Sequence, residues 1–207
     1  MRAQGKEKKG IKTVLVTAFE PFGGEAINPT ETILEKLPDT IRGFEIVKLL
    51  LPVEFIRAGE IAFAEYDRIR PAAVIMLGQA GGRDAITPET TAKNVMTARI
   101  PDNSGYKPDG VPVSAGGPDV LYSTLPVGRI VEALAALGVP CHASDDAGEY
   151  VCNCLFYSML DRSKEEVPTG FIHVPYLKEQ GHEDKPFMEE YDMYRGVAAA
   201  VETVIKE

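Results

Sequence analysis

The chain has 207 residues, 44% hydrophobic and 26% charged, with a formal net charge of −9 at pH 7. This size and composition predict one globular domain over residues 1–207, and the acidic balance disfavours a nucleic-acid partner, which needs a concentrated basic face. No apolar run approaches the roughly 20 residues that span a membrane, so no membrane partner is expected. Residues 1–10 are basic, lack the apolar core of a secretory signal and predict a flexible tail. Three cysteines are odd in number and sparse, which favours a reducing cytoplasm over a disulfide framework.

Strands and helices alternate through the first half of the chain. Residues 12–19 predict a strand that ends at the turn EPFGGE. A helix is expected next, with Asn28 as its N-cap and Pro29 in its first position. Residues 45–53 predict a second strand, and the apolar spacing from residue 55 to about residue 69 indicates an amphipathic helix. Residues 72–79 (AAVIMLGQ) predict a strand buried on both faces, as in a parallel sheet.

The second half begins with an irregular stretch. Residues 80–119 are rich in Gly, Pro, Asp, Asn and Thr, and a loop this long is uncommon in a compact domain unless it is functional. The remaining predictions are a helix at residues 126–138, a strand at 139–144, a helix at 150–162, a strand at 170–176 and a closing helix at 193–206. The alternation predicts an α/β fold: a single-domain three-layer α/β/α sandwich with a mostly parallel (mixed) sheet.

Cys152 stands near the first turn of the predicted helix in AGEYVCNCLFYSML. The amino end of a helix favours a thiolate and offers free amides to an oxyanion. Free cysteines are also among the most buried residues, and the local pattern does not separate a nucleophile from a core thiol. Cys154 lies about 200° further around the helix, so the two thiols cannot face one cleft. Cys141, inside a predicted strand, is interpreted as a core residue.

Only three histidines could serve as a base near neutral pH. A lone histidine in a buried strand is usually a satisfied core residue, yet His173 falls near the carboxyl end of its predicted strand, where α/β sheets place ligand sites. His142, at a strand start, is interpreted as structural. His182, in a charged loop, is expected to be exposed and passive.

Other chemistries find little support. The sequence has no GxSxG elbow, phosphate loop or HExxH helix, and its glycine turns do not form GxGxxG, so no cofactor is expected. Cys141, His142, Cys152 and Cys154 supply zinc-ligand types, but C-x-C on a helix is poor geometry for zinc. No metal site is therefore predicted.

Five segments together resemble the pyroglutamyl-peptidase I family (pyrrolidone carboxylate peptidases). They are TAFEPFGGEAINP, GQAGGRDAITPETTAKN, ARIPDN, AGEYVCN and GFIHVPY, in the order of the family, between residues 17 and 176. The resemblance implies a cysteine peptidase that removes amino-terminal pyroglutamate from peptides. It implies Cys152 as nucleophile, His173 as base and Glu89 as the group that orients the histidine.

The resemblance also assigns the substrate pocket. It implies that Phe19 and Phe22 sandwich the lactam ring, although core packing would otherwise be the preferred interpretation of these phenylalanines. It implies that Gln79 faces the same ring and that Arg99 assists the oxyanion. Family members often form tetramers, so a homotetramer or homodimer is expected.

The chain departs from the family pattern in several places. Thr90 and Thr91 replace a basic and an aliphatic residue after the glutamate, Ala18 replaces a glycine, and the interval from the cysteine to the histidine is slightly short. Glu149, three residues before Cys152, is expected to oppose thiolate formation. Two alternative functions stay open: an amidase acting on another small cyclic amide, and a catalytically silent protein that binds the lactam.

Overall fold

The computed structural model describes residues 12–206, and the tail predicted at residues 1–10 lies outside them. Ten strands, five α-helices and one short 3₁₀ turn (Lys178–Gln180) are assigned within this range. The strands are β1 (Thr13–Phe19), β2 (Thr40–Ile41), β3 (Phe44–Leu51), β4 (Ala73–Gln79), β5 (Thr87–Pro88), β6 (Thr91–Lys93), β7 (Val120–Tyr122), β8 (Thr169–Val174), β9 (Tyr176–Leu177) and β10 (Phe187–Met188). The helices are α1 (Pro29–Lys36), α2 (Arg57–Ile69), α3 (Val127–Ala136), α4 (Val151–Ser163) and α5 (Glu190–Val204).

The central sheet has six strands in the order β2-β3-β1-β4-β8-β5. Strands β3, β1, β4 and β8 are mutually parallel, while β2 and β5 pair antiparallel at the two edges. The predicted mostly parallel, mixed sheet is confirmed. The carboxyl ends of β1, β4 and β8 consequently meet at one edge of the sheet, where open α/β sheets place their ligand sites.

Side chains alternate along each strand and bury a core on each face of the sheet. On β1, Val14 and Val16 point into one core with α1, α3 and α5, whereas Leu15 and Phe19 point into the other with α2 and α4. Helices thus cover both faces, which confirms the predicted three-layer sandwich. No helix in the described range is long and apolar enough to cross a bilayer.

Local signals fix several boundaries. Asn28 Oδ1 accepts a hydrogen bond from the Thr30 amide at 3.0 Å, so the predicted N-cap of α1 is confirmed. Helix α2 ends at Arg70, which adopts the left-handed conformation immediately before Pro71. Pro175 has no N–H to donate, and the single strand predicted at residues 170–176 is divided there into β8 and β9.

The strand predicted at residues 139–144 is wrong. Among the described residues, this segment makes only two isolated parallel bridges, between Cys141 and Ile86 and between Ser144 and Glu89. Pro140 in the segment and Pro88 opposite it lack an N–H, so a continuous ladder cannot form. The four hydrogen bonds that remain still hold the segment beside residues 86–90.

Candidate active site

His173 and Glu89 form a buried pair near the carboxyl ends of the parallel strands. His173 is the fifth residue of β8 and lies opposite Gly78 of β4 and Thr87 of β5. Its Nδ1 is 2.7 Å from Glu89 Oε1, with the histidine 4% exposed and the glutamate fully buried. An Nδ1–H that donates to this carboxylate leaves Nε2 with its lone pair available as a base.

Cys152 is the second residue of α4, and it approaches the sheet beside this pair. A Cβ placed on Gly78 would lie 2.9 Å from Cys152 Sγ and 2.6 Å from the Phe171 ring, so only glycine lets the sulfur approach this closely. Because Gly78 lies opposite His173, the sulfur is over the strand next to the imidazole. No hydrogen bond joins Sγ to His173 among the contacts of the described residues.

Burial and neighbouring charges shift the pKa values of Cys152 and Glu89. Burial is the main cause that raises the pKa of the Cys152 thiol to about 12, and the Glu89 charge adds to it, whereas Arg83 and the Cys152 amide act in the opposite direction. Burial would also raise the pKa of Glu89, but the hydrogen bond and charge of His173, the hydroxyl of Ser144 and the charge of Arg83 hold it below its ordinary value. Glu89 is therefore a carboxylate at neutral pH, and the thiol needs a neighbouring base to lose its proton.

A narrow slot opens next to Cys152, with a free volume of about 10 Å³. Its wall includes three of the residues predicted to bind the lactam together with the predicted nucleophile. These residues are Phe19, Phe22, Gln79 and Cys152, and Tyr150 closes the slot with its ring 6.2 Å from that of Phe22. The Gln79 side-chain oxygen accepts a hydrogen bond from Gln180 Nε2 at 2.9 Å, which orients the amide.

A wide cavity of about 430 Å³ adjoins the slot and shares Phe22 and Tyr150 with it. Arg99 lines this cavity and not the slot, with Lys93 and Glu149 also in the wall. The structure therefore brings Phe19, Phe22 and Gln79 to the wall of the slot that contains Cys152. Arg99 lies in the wide cavity, on the other side of Phe22 and Tyr150. The Glu149 charge acts on Lys93, whereas the charges that act on the Cys152 thiol come from Glu89 and Arg83.

Sequence reasoning overlooked two side chains of the site. Arg83 binds Glu89 Oε1 through Nη1 at 2.6 Å, and Gln180 orients Gln79. The signal for Arg83 was its place in the Gly-Gly-Arg-Asp turn directly after β4, at the carboxyl edge of the sheet. Gln180 follows β9 in a charged loop and carries no comparable signal.

The remaining histidines and cysteines lie apart from this constellation. His142 is exposed, contrary to its structural interpretation. His182 was expected to be exposed and passive, but it is part-buried, its Nε2 is 2.9 Å from Glu25 Oε1, and its ring centroid is 4.1 Å from that of Tyr176. Cys154 is buried against Phe55 and Met96. Within residues 12–206, no three His, Cys, Asp or Glu side chains are grouped to hold a metal.

An open α/β sheet with a cysteine at a helix amino end, beside a histidine–carboxylate pair, is an arrangement suited to thiol-dependent acyl transfer. The family model for pyroglutamyl peptidase matches residues 12–207 of the chain. Pyrrolidone-carboxylate peptidase 1 of Caldanaerobacter subterraneus subsp. tengcongensis is 42% identical over 198 residues, covering 93% of this chain and 98% of the relative. The pyrrolidone-carboxylate peptidase of Thermococcus onnurineus is 43% identical over 196 residues and covers 93% of both chains.

Solved structures of pyroglutamyl peptidases have the same fold as this chain. The crystal structure of pyroglutamyl peptidase I from Bacillus amyloliquefaciens superposes with a TM-score of 0.90 at 37% identity, covering 94% of this chain and 95% of the other. A mutant pyrrolidone carboxyl peptidase from Pyrococcus furiosus gives 0.90 at 38% identity, covering 94% and 98%. The chain belongs to the pyroglutamyl peptidase family, as its sequence segments indicated. It is a peptidase, and the family to which it belongs removes amino-terminal pyroglutamate.

Proposed function

We propose that the chain cleaves pyroglutamyl peptides by acyl transfer through Cys152, His173 and Glu89. Cys152 Sγ attacks the carbonyl carbon that joins pyroglutamate to the next residue, and His173 Nε2 takes the thiol proton. The tetrahedral intermediate collapses, the C–N bond breaks, and His173 returns the proton to the leaving amine. Water, deprotonated by His173, then hydrolyses the thioester, which releases pyroglutamate and restores the thiol.

The observation that carries this proposal is the 2.7 Å contact between His173 Nδ1 and Glu89 Oε1 on the strand beside Cys152. A buried carboxylate on Nδ1 fixes the ring, leaves Nε2 as the base and stabilises the cation formed on proton transfer. Because burial raises the pKa of the Cys152 thiol to about 12, proton transfer to His173 accompanies the attack. The first amides of α4 are free to receive the oxyanion.

The narrow slot supports recognition of a lactam. A neutral five-membered ring needs flat apolar walls and a few hydrogen-bonding groups rather than a carboxylate for an ammonium. Phe19 and Phe22 supply the walls and Gln79 the amide. A free volume of about 10 Å³ is about the least that holds one water, so Phe22 or Tyr150 must move for the ring to enter. The residues after pyroglutamate then extend into the wide cavity beside Arg99.

Hydrolysis of a pyroglutamyl aminocoumarin amide under reducing conditions tests the proposal. The intact protein is expected to release the dye, and Cys152→Ser to lose about 10³-fold or more in kcat. Cys141→Ser, at a part-buried thiol outside the site, is the matched control and should keep the activity. Prolyl amide should be rejected, because the polar groups of the slot would be left unpaired.

Three results would contradict the proposal. Full activity of Cys152→Ser would exclude this nucleophile. Binding of pyroglutamate without turnover by the intact protein would favour a silent binding protein. Turnover of a different cyclic amide with none of the pyroglutamyl amide would favour the amidase.

Two further expectations belong to this proposal. The three free cysteines, at positions 141, 152 and 154, suit a reducing cytoplasm, which fractionation of the source cells would test. A homodimer or homotetramer is expected, and light scattering after gel filtration would measure it.

A further inference from the structure

Arg83 joins the carboxylate of the site to the loop that leads into α4. Its Nη1 is 2.6 Å from Glu89 Oε1 and also contacts Thr87 Oγ1. Its Nη2 donates to the backbone oxygen of Asp146 at 2.6 Å, six residues before Cys152. One planar guanidinium therefore spans the two segments that carry the carboxylate and the thiol, a geometry that a point charge cannot reproduce.

Arg83 and His173 bind the same carboxylate oxygen. His173 Nδ1 is 2.7 Å and Arg83 Nη1 is 2.6 Å from Glu89 Oε1, while Oε2 is buried with no hydrogen-bond partner among the described residues. The guanidinium side chain is about one quarter exposed and the carboxylate is fully buried. A cation this close to a buried carboxylate cancels part of the negative potential that the imidazole experiences.

We propose that Arg83 is a positioning residue of the peptidase reaction, which fixes the Glu89 carboxylate and, through its positive charge, sets the pH range in which the Cys152–His173 pair is active. This inference rests on the proposed function. The proposed triad does not include Arg83. This residue acts through Glu89, since its hydrogen bonds among the described residues are with Thr87, Glu89 and Asp146 and not with Cys152 or His173.

The direction of the effect follows from the charges around the pair. Glu89 and Arg83 act on Cys152, the Cys152 charge acts in turn on Tyr150, and His173, Ser144 and Arg83 act on Glu89. Beyond the guanidinium, Asp146 is already paired with Lys93 at 2.9 Å. The Cys152–His173 pair is active when it holds one proton, and it gains a second proton on the acid side and loses its last on the alkaline side. A nearby cation disfavours the gain of either proton, because each proton adds positive charge to the pair. Removal of the cation therefore moves both the acid limb and the alkaline limb of the pH profile to higher pH.

The test compares Arg83→Gln, Arg83→Lys and the control Arg195→Gln, which breaks a surface pair with Asp192. The readout is the pH profile of kcat/KM with the pyroglutamyl amide, together with the pH dependence of thiol alkylation without substrate. Arg83→Gln is expected to move the acid limb up by about 0.5–1 pH unit. Arg83→Lys should keep the limb in place and lower kcat about 10-fold, because one ammonium cannot hold both Glu89 and the Asp146 carbonyl. Arg195→Gln should change neither.

An acid limb that stays in place in a folded Arg83→Gln protein, with only a lower rate, would overturn the inference. A shifted limb in Arg83→Lys would also overturn it, because the charge is retained, and this variant decides the matter if Arg83→Gln does not fold. Failure of the proposed function would appear differently, as an inactive intact protein or an active Cys152→Ser variant. Those results concern the nucleophile and do not depend on Arg83.

Discussion

Glu149 is an acidic side chain in the wall of the wide cavity, close to the entrance of the narrow slot. Its backbone oxygen accepts a hydrogen bond from the Thr97 amide at 2.8 Å, which holds the residue at the cavity wall. Lys93 in the same wall is paired with Asp146, while the described ion pairs include none for Glu149. Glu149 therefore lines the space proposed for the residues after pyroglutamate.

Reversal of this charge should change the preference for the residue after pyroglutamate. In Glu149→Lys, kcat/KM for a pyroglutamyl-glutamyl substrate is expected to rise relative to a pyroglutamyl-lysyl substrate by about 10-fold, which corresponds to about 1.4 kcal/mol. Glu149→Gln should give a smaller shift in the same direction, and Glu179→Lys, in the 3₁₀ turn outside the cavity, should give none. An equal change in both substrates would show that the carboxylate does not contact this part of the peptide.

Helix α4 is held in place by an amide directly after the thiol. Asn153 is fully buried, its Oδ1 accepts from the Lys93 amide at 2.8 Å, and its Nδ2 donates to the Lys93 and Val95 carbonyls at 2.9 Å each. These three hydrogen bonds join the helix to β6 and the segment after it. The same contacts fix the rotation of the first turn, and with it the direction of Cys152.

Asn153→Ala would remove three hydrogen bonds and leave the part-buried Lys93 amide and Val95 carbonyl without this partner, whereas the Lys93 carbonyl keeps the bond from the Val95 amide. The free energy of unfolding is expected to fall by about 1–3 kcal/mol, since each unsatisfied buried polar group costs about 1–3 kcal/mol and partial exposure and relaxation recover part of it. Urea denaturation followed by circular dichroism measures the change. Asn103→Ala is the matched control, because this amide is exposed and makes one bond to Pro21, and it should stay within about 0.5 kcal/mol. Equal losses in both variants would refute the anchoring role of Asn153.

The elements that the sequence predicts well are those defined by local signals. Strand β4 follows from a continuous apolar run, and α1 from the Asn28–Pro29 start. Strands β6 and β7 pair Lys93 with Val120 and Thr91 with Tyr122, 120 − 93 = 27 and 122 − 91 = 31 positions apart in the chain, so no local sequence pattern predicts this pairing. Segment 139–144 has the composition of a strand, but its pairing is interrupted by Pro140 within it and by Pro88 in the distant segment opposite it.

The candidate site divides in the same way. Cys152 and His173 occupy the helix start and strand end that their local patterns indicated, although neither pattern separated a functional residue from a core residue. The family resemblance supplied Glu89. The turn after β4 marks Arg83 as a residue near the site, but its partners could not be predicted, because they are a buried carboxylate and a backbone oxygen 63 residues away, and such contacts depend on the tertiary fold.

At the scale of the whole molecule, a buried carboxylate, Asp102, is one of the groups that tie the long irregular segment to the sandwich. Asp102 Oδ1 accepts hydrogen bonds from the Ser104 amide and hydroxyl and the Tyr106 amide at 2.7–3.0 Å. Its Oδ2 accepts from the Phe55 amide at 3.0 Å, just before α2. The segment of residues 80–119, expected to be functional because of its length, contributes Glu89 and Arg99 and is held against the fold at this point.

This carboxylate should make the stability of the whole fold depend on acid. Burial would raise the pKa of Asp102, but its hydrogen bonds with Phe55, Ser104 and Tyr106 lower it below its ordinary value. An aspartate whose pKa is lower in the folded state stabilises the protein above about pH 4, the range of an unfolded aspartate, and this contribution is lost as the pH falls through the folded value. Asp102→Asn removes it at every pH.

Asp102→Asn is therefore expected to lower the free energy of unfolding by about 1.5–3 kcal/mol at pH 7, the range for hydrogen bonds to a charged group. The difference from the parent protein should shrink as the pH is lowered from about 5 to 3, since the parent then loses the same charge. Urea midpoints across this range measure the effect. Asp109→Asn, at an exposed position of the same segment, should follow the parent throughout. A constant difference between Asp102→Asn and the parent would mean that the side chain stabilises by shape alone, and that the acid sensitivity of the fold originates elsewhere.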